Sequence, residues 1–347
     1  MKIPDELDWS PTGQTLGEGG QGVVQIVTRK GDPDNHLYAL KSLRNVSSPQ
    51  AQKRFQQEIK TIKGLNHPSI IKIFDHSNEN DGFQFYVMEY FPGARQLNDV
   101  ISSPLTNQFH GNALLSLNLF EQIILAISEC EKVRPPVFHR DINPRNILVL
   151  DNEKICLIDF GICQIEDGIT ITFTDENVGT RNYSAPECSS GNDSTIGVHS
   201  DIYSAAKVLW SAINSRQVFD REHYVFQGRS MNKMFPRKPE SWHLTRIFEK
   251  TIREKPENRL QNTSGVLDLI HEVRHLIQSG YPPLEEVQHR CPSCGCRSIG
   301  NFEQGYIVFG NPNPRDVISA ICQQCGFGFV RKTTVLQENI KKRLELD

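Results

Sequence analysis

HRDINPRN, residues 139–146, narrows what this chain can fold into more than any other stretch. Asp141 is a carboxylate able to accept a proton from an incoming hydroxyl. Asn146, five residues on, offers an amide oxygen suited to Mg²⁺. Thirteen residues later, IDFG places Asp159, a carboxylate ligand for the same hard cation. The apolar runs NILVL and ICLID read as two short strands that interrupt an otherwise helical region.

Upstream lies LGEGGQGVV, residues 16–24, where Gly17, Gly19 and Gly22 give G-x-G-x-x-G and Val24 extends it. Glycines let a backbone approach phosphate oxygens closely, with N–H groups available to them. The same pattern opens dinucleotide-binding folds, but a helix follows it there. Here the β-branched run VVQIV follows, which favours a hairpin over a nucleotide. YALK then ends in Lys41, either a solvated strand-end residue or a cation for nucleotide phosphates. The helix expected over residues 51–65 has Phe55, Ile59 and Ile62 on one face and carries Glu58, a carboxylate able to hold Lys41. Lys53, Arg54 and Lys60 read as its wet face.

The first ninety residues alternate β-rich runs (VVQIV, YALKSL, FQFYVMEY) with this one helix. Beyond Leu97 the pattern turns helical, over residues 114–131, 202–213, 244–253 and 266–277. A β-rich part followed by a helical part predicts two lobes. Residues 279–290, SGYPPLEEVQHR, read as a linker to a small Gly- and Cys-rich β-type unit.

With these motifs in order, the chain resembles a eukaryotic-like protein kinase over residues 9–278. VGTRNYSAPE, residues 178–187, resembles the end of an activation segment, DIYSAAKVLW the buried helix after it, and EKPENRL supplies Arg259. The resemblance implies an α+β bilobal kinase fold, with an N-lobe of about residues 9–91 and a C-lobe of about 92–278. It implies ATP with Mg²⁺ or Mn²⁺ as cofactors, and a protein substrate. Leu16, Gly17, Gly19, Gly22, Val24 and Ala39 would enclose the nucleotide. Lys41, held by Glu58, would touch the α- and β-phosphates. Met88 would be the gatekeeper, and Glu89 to Phe91 would hold adenine. Asp141 would be the catalytic base, and Asn146 and Asp159 would bind Mg²⁺. Asp201 would brace the catalytic loop, and Glu187 would pair with Arg259. Thr170, Thr172 and Thr174 would be phosphate acceptors opposite Arg140, or plain loop residues.

One position departs from the family. Ser/Thr kinases usually carry Lys two residues after the catalytic Asp; here it is the neutral Asn143. Arg145 sits where tyrosine kinases carry a compensating Arg. Ser/Thr specificity is expected, with tyrosine or dual specificity and a nucleotide-binding pseudokinase as alternatives.

Two further patterns bear on metal. His271, Glu272 and His275 formally spell H-E-x-x-H, but Val266, Ile270, Val273 and Ile277 make this the apolar stripe of a helix, so the match is read as a surface coincidence. CPSCGC and CQQCG place Cys291, Cys294, Cys322 and Cys325 as two C-x₂-C pairs, the donor set of a structural Zn²⁺ in a ribbon over residues 291–335. Cys296 is spare, and Cys163 reads as inert. Residues 336–347 are expected to be a charged tail.

Net charge is −3, from 38 Lys+Arg against 41 Asp+Glu, which implies no global grip on nucleic acid or an acidic membrane. The ribbon is expected to dock a regulatory protein rather than nucleic acid. No secretory signal or membrane span is expected, and the location is taken as cytoplasmic.

Overall fold

The computed structural model describes residues 2–19, 22–44, 48–160, 181–189, 196–215, 218–219, 231–235 and 238–279, with three short strands beyond them. The N-terminal part is a five-stranded antiparallel sheet in the order β1-β2-β3-β5-β4. Its strands are β1 (Trp9–Gly19), β2 (Gly22–Arg29), β3 (Leu37–Leu43), β4 (Ile73–His76) and β5 (Phe85–Glu89). The glycine loop is the β1–β2 hairpin, with Gly19 opposite Gly22, so strand rather than helix follows it as expected.

Register sorts the side chains by face. Val24 lies opposite Lys41, Lys41 opposite Tyr86 and Ala39 opposite Met88, so all five share one face. On the other face Val27, Leu40, Phe85 and Val87 pack with Ile3 and Trp9, so the N-terminal segment covers the outer side of the sheet. Trp9 Nε1 also donates to Asp75 Oδ2 at 2.6 Å.

Helix α1 (Pro49–Lys63) packs on the Lys41 face. Its start is set by Pro49 and by Ser48, whose hydroxyl accepts the Ala51 N–H at 3.3 Å. Lys60 and Lys63 sit in its last turn, favourable to the helix dipole. Phe55, Ile59 and Ile62 are buried, and Lys53 and Lys60 are exposed, as their spacing predicts.

The second part is helical. After the short pieces β6 (Arg95–Gln96) and α2 (Leu97–Ile101) come α3 (Ala113–Lys132), α4 (Val198–Asn214), α5 (Met231–Met234), α6 (Thr245–Thr251) and α7 (Thr263–Ser279). Their apolar faces form one core that includes Trp210. The helix expected over 244–253 is shorter, because Pro239–Leu244 forms a 3₁₀ turn before Thr245. Contrary to the expectation that nothing approaches a membrane span, α3 is long and apolar enough by length and composition. Leu117, Phe120, Ile123, Ile124 and Ile127 are nonetheless buried against the other helices, so its apolarity serves the core.

Among the described residues, three strands follow α7. β10 (Ile318–Ile321) is antiparallel to β11 (Gly328–Arg331), and β9 (Leu284–Glu285) joins β11 in parallel. The segment expected to be a plain linker thus contributes a strand. Cys163, Thr170, Thr172, Thr174, Cys291, Cys294, Cys296, Cys322 and Cys325 lie outside the described residues, as does most of the segment expected to form the ribbon.

Candidate active site

A hairpin gathers the acidic groups. Pro144–Asn146 is a 3₁₀ turn that runs into β7 (Ile147–Val149), and β8 (Ile155–Leu157) returns antiparallel and stops two residues before Asp159. The Ile158 N–H donates to the Asn146 carbonyl at 3.0 Å, which fixes Asn146 beside the turn that carries Asp159.

Asp141 is held at both oxygens. Asn143 Nδ2 donates to Oδ1 and Asn146 Nδ2 donates to Oδ2, each at 2.8 Å. Each amide nitrogen also reaches the Asp141 carbonyl. Burial pushes the Asp141 carboxyl up to about 6, against these hydrogen bonds, which pull it down. With its nitrogen committed to Asp141, the Asn146 amide offers Oδ1 to a cation. Asp159 is 42% exposed at the side chain and adds carboxylate oxygens nearby. A hard divalent ion fits this all-oxygen set.

Asn143 was expected only as a missing cation. Here it is buried, and its Oδ1 accepts the Arg145 N–H at 2.9 Å while its nitrogen holds Asp141. The spacing D-x-N is the signal that was available, since a side-chain amide two residues on is in reach of the preceding carboxylate. Arg145 itself is exposed.

Lys41 lies between two carboxylates. Nζ is 3.0 Å from Glu58 Oε1 and 2.7 Å from Asp159 Oδ1. Burial alone lowers the Lys41 pKa, but Asp159 and Glu58 more than reverse this, so the ammonium is held well above its ordinary range. Burial raises Glu58, and Lys41 opposes that rise. Tyr86, which sequence reasoning missed, donates its hydroxyl to Glu58 Oε1 at 3.0 Å. Its place two residues before Met88, on the same face, was the available signal.

The loop behind Asp141 is strained and braced. Arg140 has φ 64° and Asp159 φ 53°, a region that costs a non-glycine residue about 1–3 kcal/mol. The expected brace is present: Asp201, on α4, accepts the His139 N–H at 2.7 Å and the Arg140 N–H at 2.8 Å. Phe160 is buried with its ring centroid 4.4 Å from that of His139. Burial pulls His139 down to about 4, so its imidazole is neutral.

Further out, Arg259 grips Glu187 through two bonds of 2.6 and 2.9 Å, with Ser200 donating to the same carboxylate at 2.6 Å. The Arg259 guanidinium also lies 4.6 Å from the Tyr203 ring centroid.

The glycines divide by role. A Cβ on Gly17 or Gly19 would meet nothing within 4 Å, so both present open backbone. A Cβ on Gly22 would collide with the Ser42 carbonyl, so that glycine is required by strand packing. Leu16 is exposed, Val24 is half-buried, and Ala39 and Met88 are buried. Glu89 ends β5, and Phe91 follows as a partly buried side chain. Away from the site, His271 and Glu272 lie near Glu121 and Arg246 respectively, as befits a helix surface.

Comparison with known proteins agrees with the fold. The chain is 29% identical over 279 residues to the serine/threonine-protein kinase PrkC of Bacillus subtilis, covering 75% of this chain and 41% of that protein. It is 28% identical over 306 residues to the serine/threonine-protein kinase PknB of Mycobacterium leprae, covering 82% and 45%. The chain therefore spans less than half the length of these relatives. The crystal structure of the Mycobacterium tuberculosis PknI kinase domain shares its fold, with TM-score 0.56 at 21% identity over 77% of this chain and 96% of that one. Residues 11–279 match the family model described as protein kinase domain, and by that match the chain belongs to the protein kinase family.

Proposed function

We propose that this chain is a protein kinase that transfers the γ-phosphate of Mg-ATP to Ser or Thr hydroxyls of protein substrates. The observation that carries the reading is the convergence of Asp141, Asn146, Asp159, Lys41 and Glu58, each in hydrogen-bond or ion-pair contact with another of the set. Asp141, held at both oxygens, orients the substrate hydroxyl and takes its proton. The hydroxyl oxygen bonds to the γ-phosphorus as the β–γ bridging bond breaks, and the leaving electron pair goes to ADP. Lys41 offers a fixed cation for phosphate oxygens. Asn146 and Asp159 would hold Mg²⁺, which when bound neutralises charge on the phosphates. The open backbone at Gly17 and Gly19 suits close approach of a nucleotide.

The names of the relatives support Ser/Thr specificity. Autophosphorylation on Thr170, Thr172 or Thr174 belongs to the same reading, as does a Zn²⁺-bound ribbon that docks a regulatory protein. The ribbon is supported by the two C-x₂-C pairs, the second of which falls in sequence between the antiparallel strands β10 and β11.

The test is phosphate transfer from labelled ATP with Mg²⁺, to the chain itself and to a generic protein, beside an Asp141→Asn variant. Phosphoserine or phosphothreonine that vanishes in the variant supports the reading. Phosphotyrosine overturns the specificity. No transfer, with nucleotide still bound, favours a pseudokinase.

A further inference from the structure

Helix α1 is gripped from two sides. Glu58 faces Lys41 and Tyr86 in the site. Gln56, two residues earlier, lies about 200° around the helix axis from Glu58. Its side chain is buried beneath the β4–β5 connection. There Gln56 Nε2 donates to Gln84 Oε1, and to the Ser77 carbonyl at 3.3 Å. Gln84 is fully buried. Its own Nε2 donates to the carbonyls of Asn78 at 2.9 Å and Asp81 at 2.7 Å. Ser77 Oγ accepts the Phe85 N–H at 3.0 Å and closes the cage.

Two uncharged amides at the back of a helix are an odd filling for an interior that apolar side chains could occupy. Apolar packing tolerates small rolls and slides, whereas a buried amide that leaves its partner is left unsatisfied. A roll of α1 that withdraws Glu58 from Lys41 must also draw Gln56 out of this cage.

We propose that Gln56 and Gln84 are positioning residues for phosphoryl transfer, which fix the roll of α1 and so keep Glu58 on Lys41. The proposal rests on the kinase reading above. It gives the cage formed by Gln56, Ser77 and Gln84 a positioning role in transfer, although none of these residues touches a reacting atom, and gives the exposed Glu79 side chain none.

The test is a cycle on the full chain, measured by single-turnover transfer from labelled ATP. Gln56→Met keeps the length and removes the amide. It is expected to slow transfer about tenfold in the wild-type background and less than twofold in a Glu58→Gln background, where Lys41 still has an acceptor. Glu79→Ala removes the exposed pair with Lys60, which ties the same helix to the same connection, and is expected to leave the rate unchanged. Ile62→Val weakens α1 packing without touching the cage and serves as a stability-matched control. Should Gln56→Met fail to fold, Ser77→Ala makes the smaller perturbation, with a two- to threefold loss expected in the wild-type background alone. Equal proportional losses in both backgrounds, or a loss no greater than that of Ile62→Val, would overturn the proposal. A wild-type chain that transfers no phosphate overturns the kinase reading instead.

Discussion

Asn143 donates its side-chain amide to Asp141 Oδ1 at 2.8 Å while its own Oδ1 accepts the Arg145 N–H at 2.9 Å. The residue that breaks the family pattern is therefore not a vacancy left by a lysine. It caps the 3₁₀ turn and orients the carboxylate on which the chemistry depends. Removing a hydrogen bond to a charged group costs roughly 1.5–3 kcal/mol. Asn143→Ala is accordingly expected to lower kcat by about ten- to a hundredfold, with the KM for ATP little changed. Steady-state kinetics check this, and a kcat within twofold of wild type would contradict it.

The state of Asp141 sets a pH dependence. Its carboxyl is raised from 3.8 to about 6, mainly by burial. The base must be ionised to take a proton, so activity is full above that value and is lost as pH falls through it. For stability the sign is opposite. A raised acid contributes stability at low pH that disappears as pH rises through about 6. The acid limb of kcat/KM for a peptide substrate is expected near pH 6. A rate flat down to pH 5 would show that Asp141 is not the group being titrated.

The Lys41–Glu58 pair can be separated from chemistry by measuring stability. Both side chains are buried, at 5% and 7% exposure. Lys41→Met leaves Glu58 ionised or newly protonated in a buried site, next to Asp159. Breaking a buried pair on one side costs about 3–5 kcal/mol, whereas replacing both members is often close to neutral. Lys41→Met is expected to lower the unfolding midpoint clearly, and Lys41→Met with Glu58→Gln to recover most of the loss. Denaturant unfolding decides, and an additive pair of losses would sink the account.

Legibility followed the range of the interaction. The strands within VVQIV, YALKSL and FQFYVMEY and the helices α1, α3 and α4 were readable because apolar periodicity is local: Phe55, Ile59 and Ile62 announce α1 from their spacing alone, whereas β1, β4 and α2 went unnamed. Lys41, Glu58, Asp141, Asn146 and Asp159 were readable because the motifs that carry them are nearly contiguous. Tyr86, Asn143, Gln56 and Gln84 were harder for a common reason. Each earns its place from a partner's position in space, and Tyr or Gln in an apolar strand or helix looks like ordinary filling. The strand Leu284–Glu285 was missed because two residues that follow a Pro-Pro pair carry no period, and their pairing partner, Gly328–Arg331, is some forty residues away.

The C-terminal cysteines give a prediction independent of catalysis. Cys322 and Cys325 fall between Ile321 and Gly328, which are paired across β10 and β11. A C-x₂-C pair can direct both sulfurs to one ion, and four thiolates make a closed tetrahedral site that contributes folding energy rather than chemistry. About one zinc per chain is therefore expected after purification from zinc-replete medium. Cys322→Ser should lose that zinc and expose the C-terminal segment to protease, while the unfolding midpoint of residues 11–279 stays put. Metal analysis with limited proteolysis is the check. Full zinc retention in the variant, or a zinc-free wild-type chain, would remove the case for a ribbon.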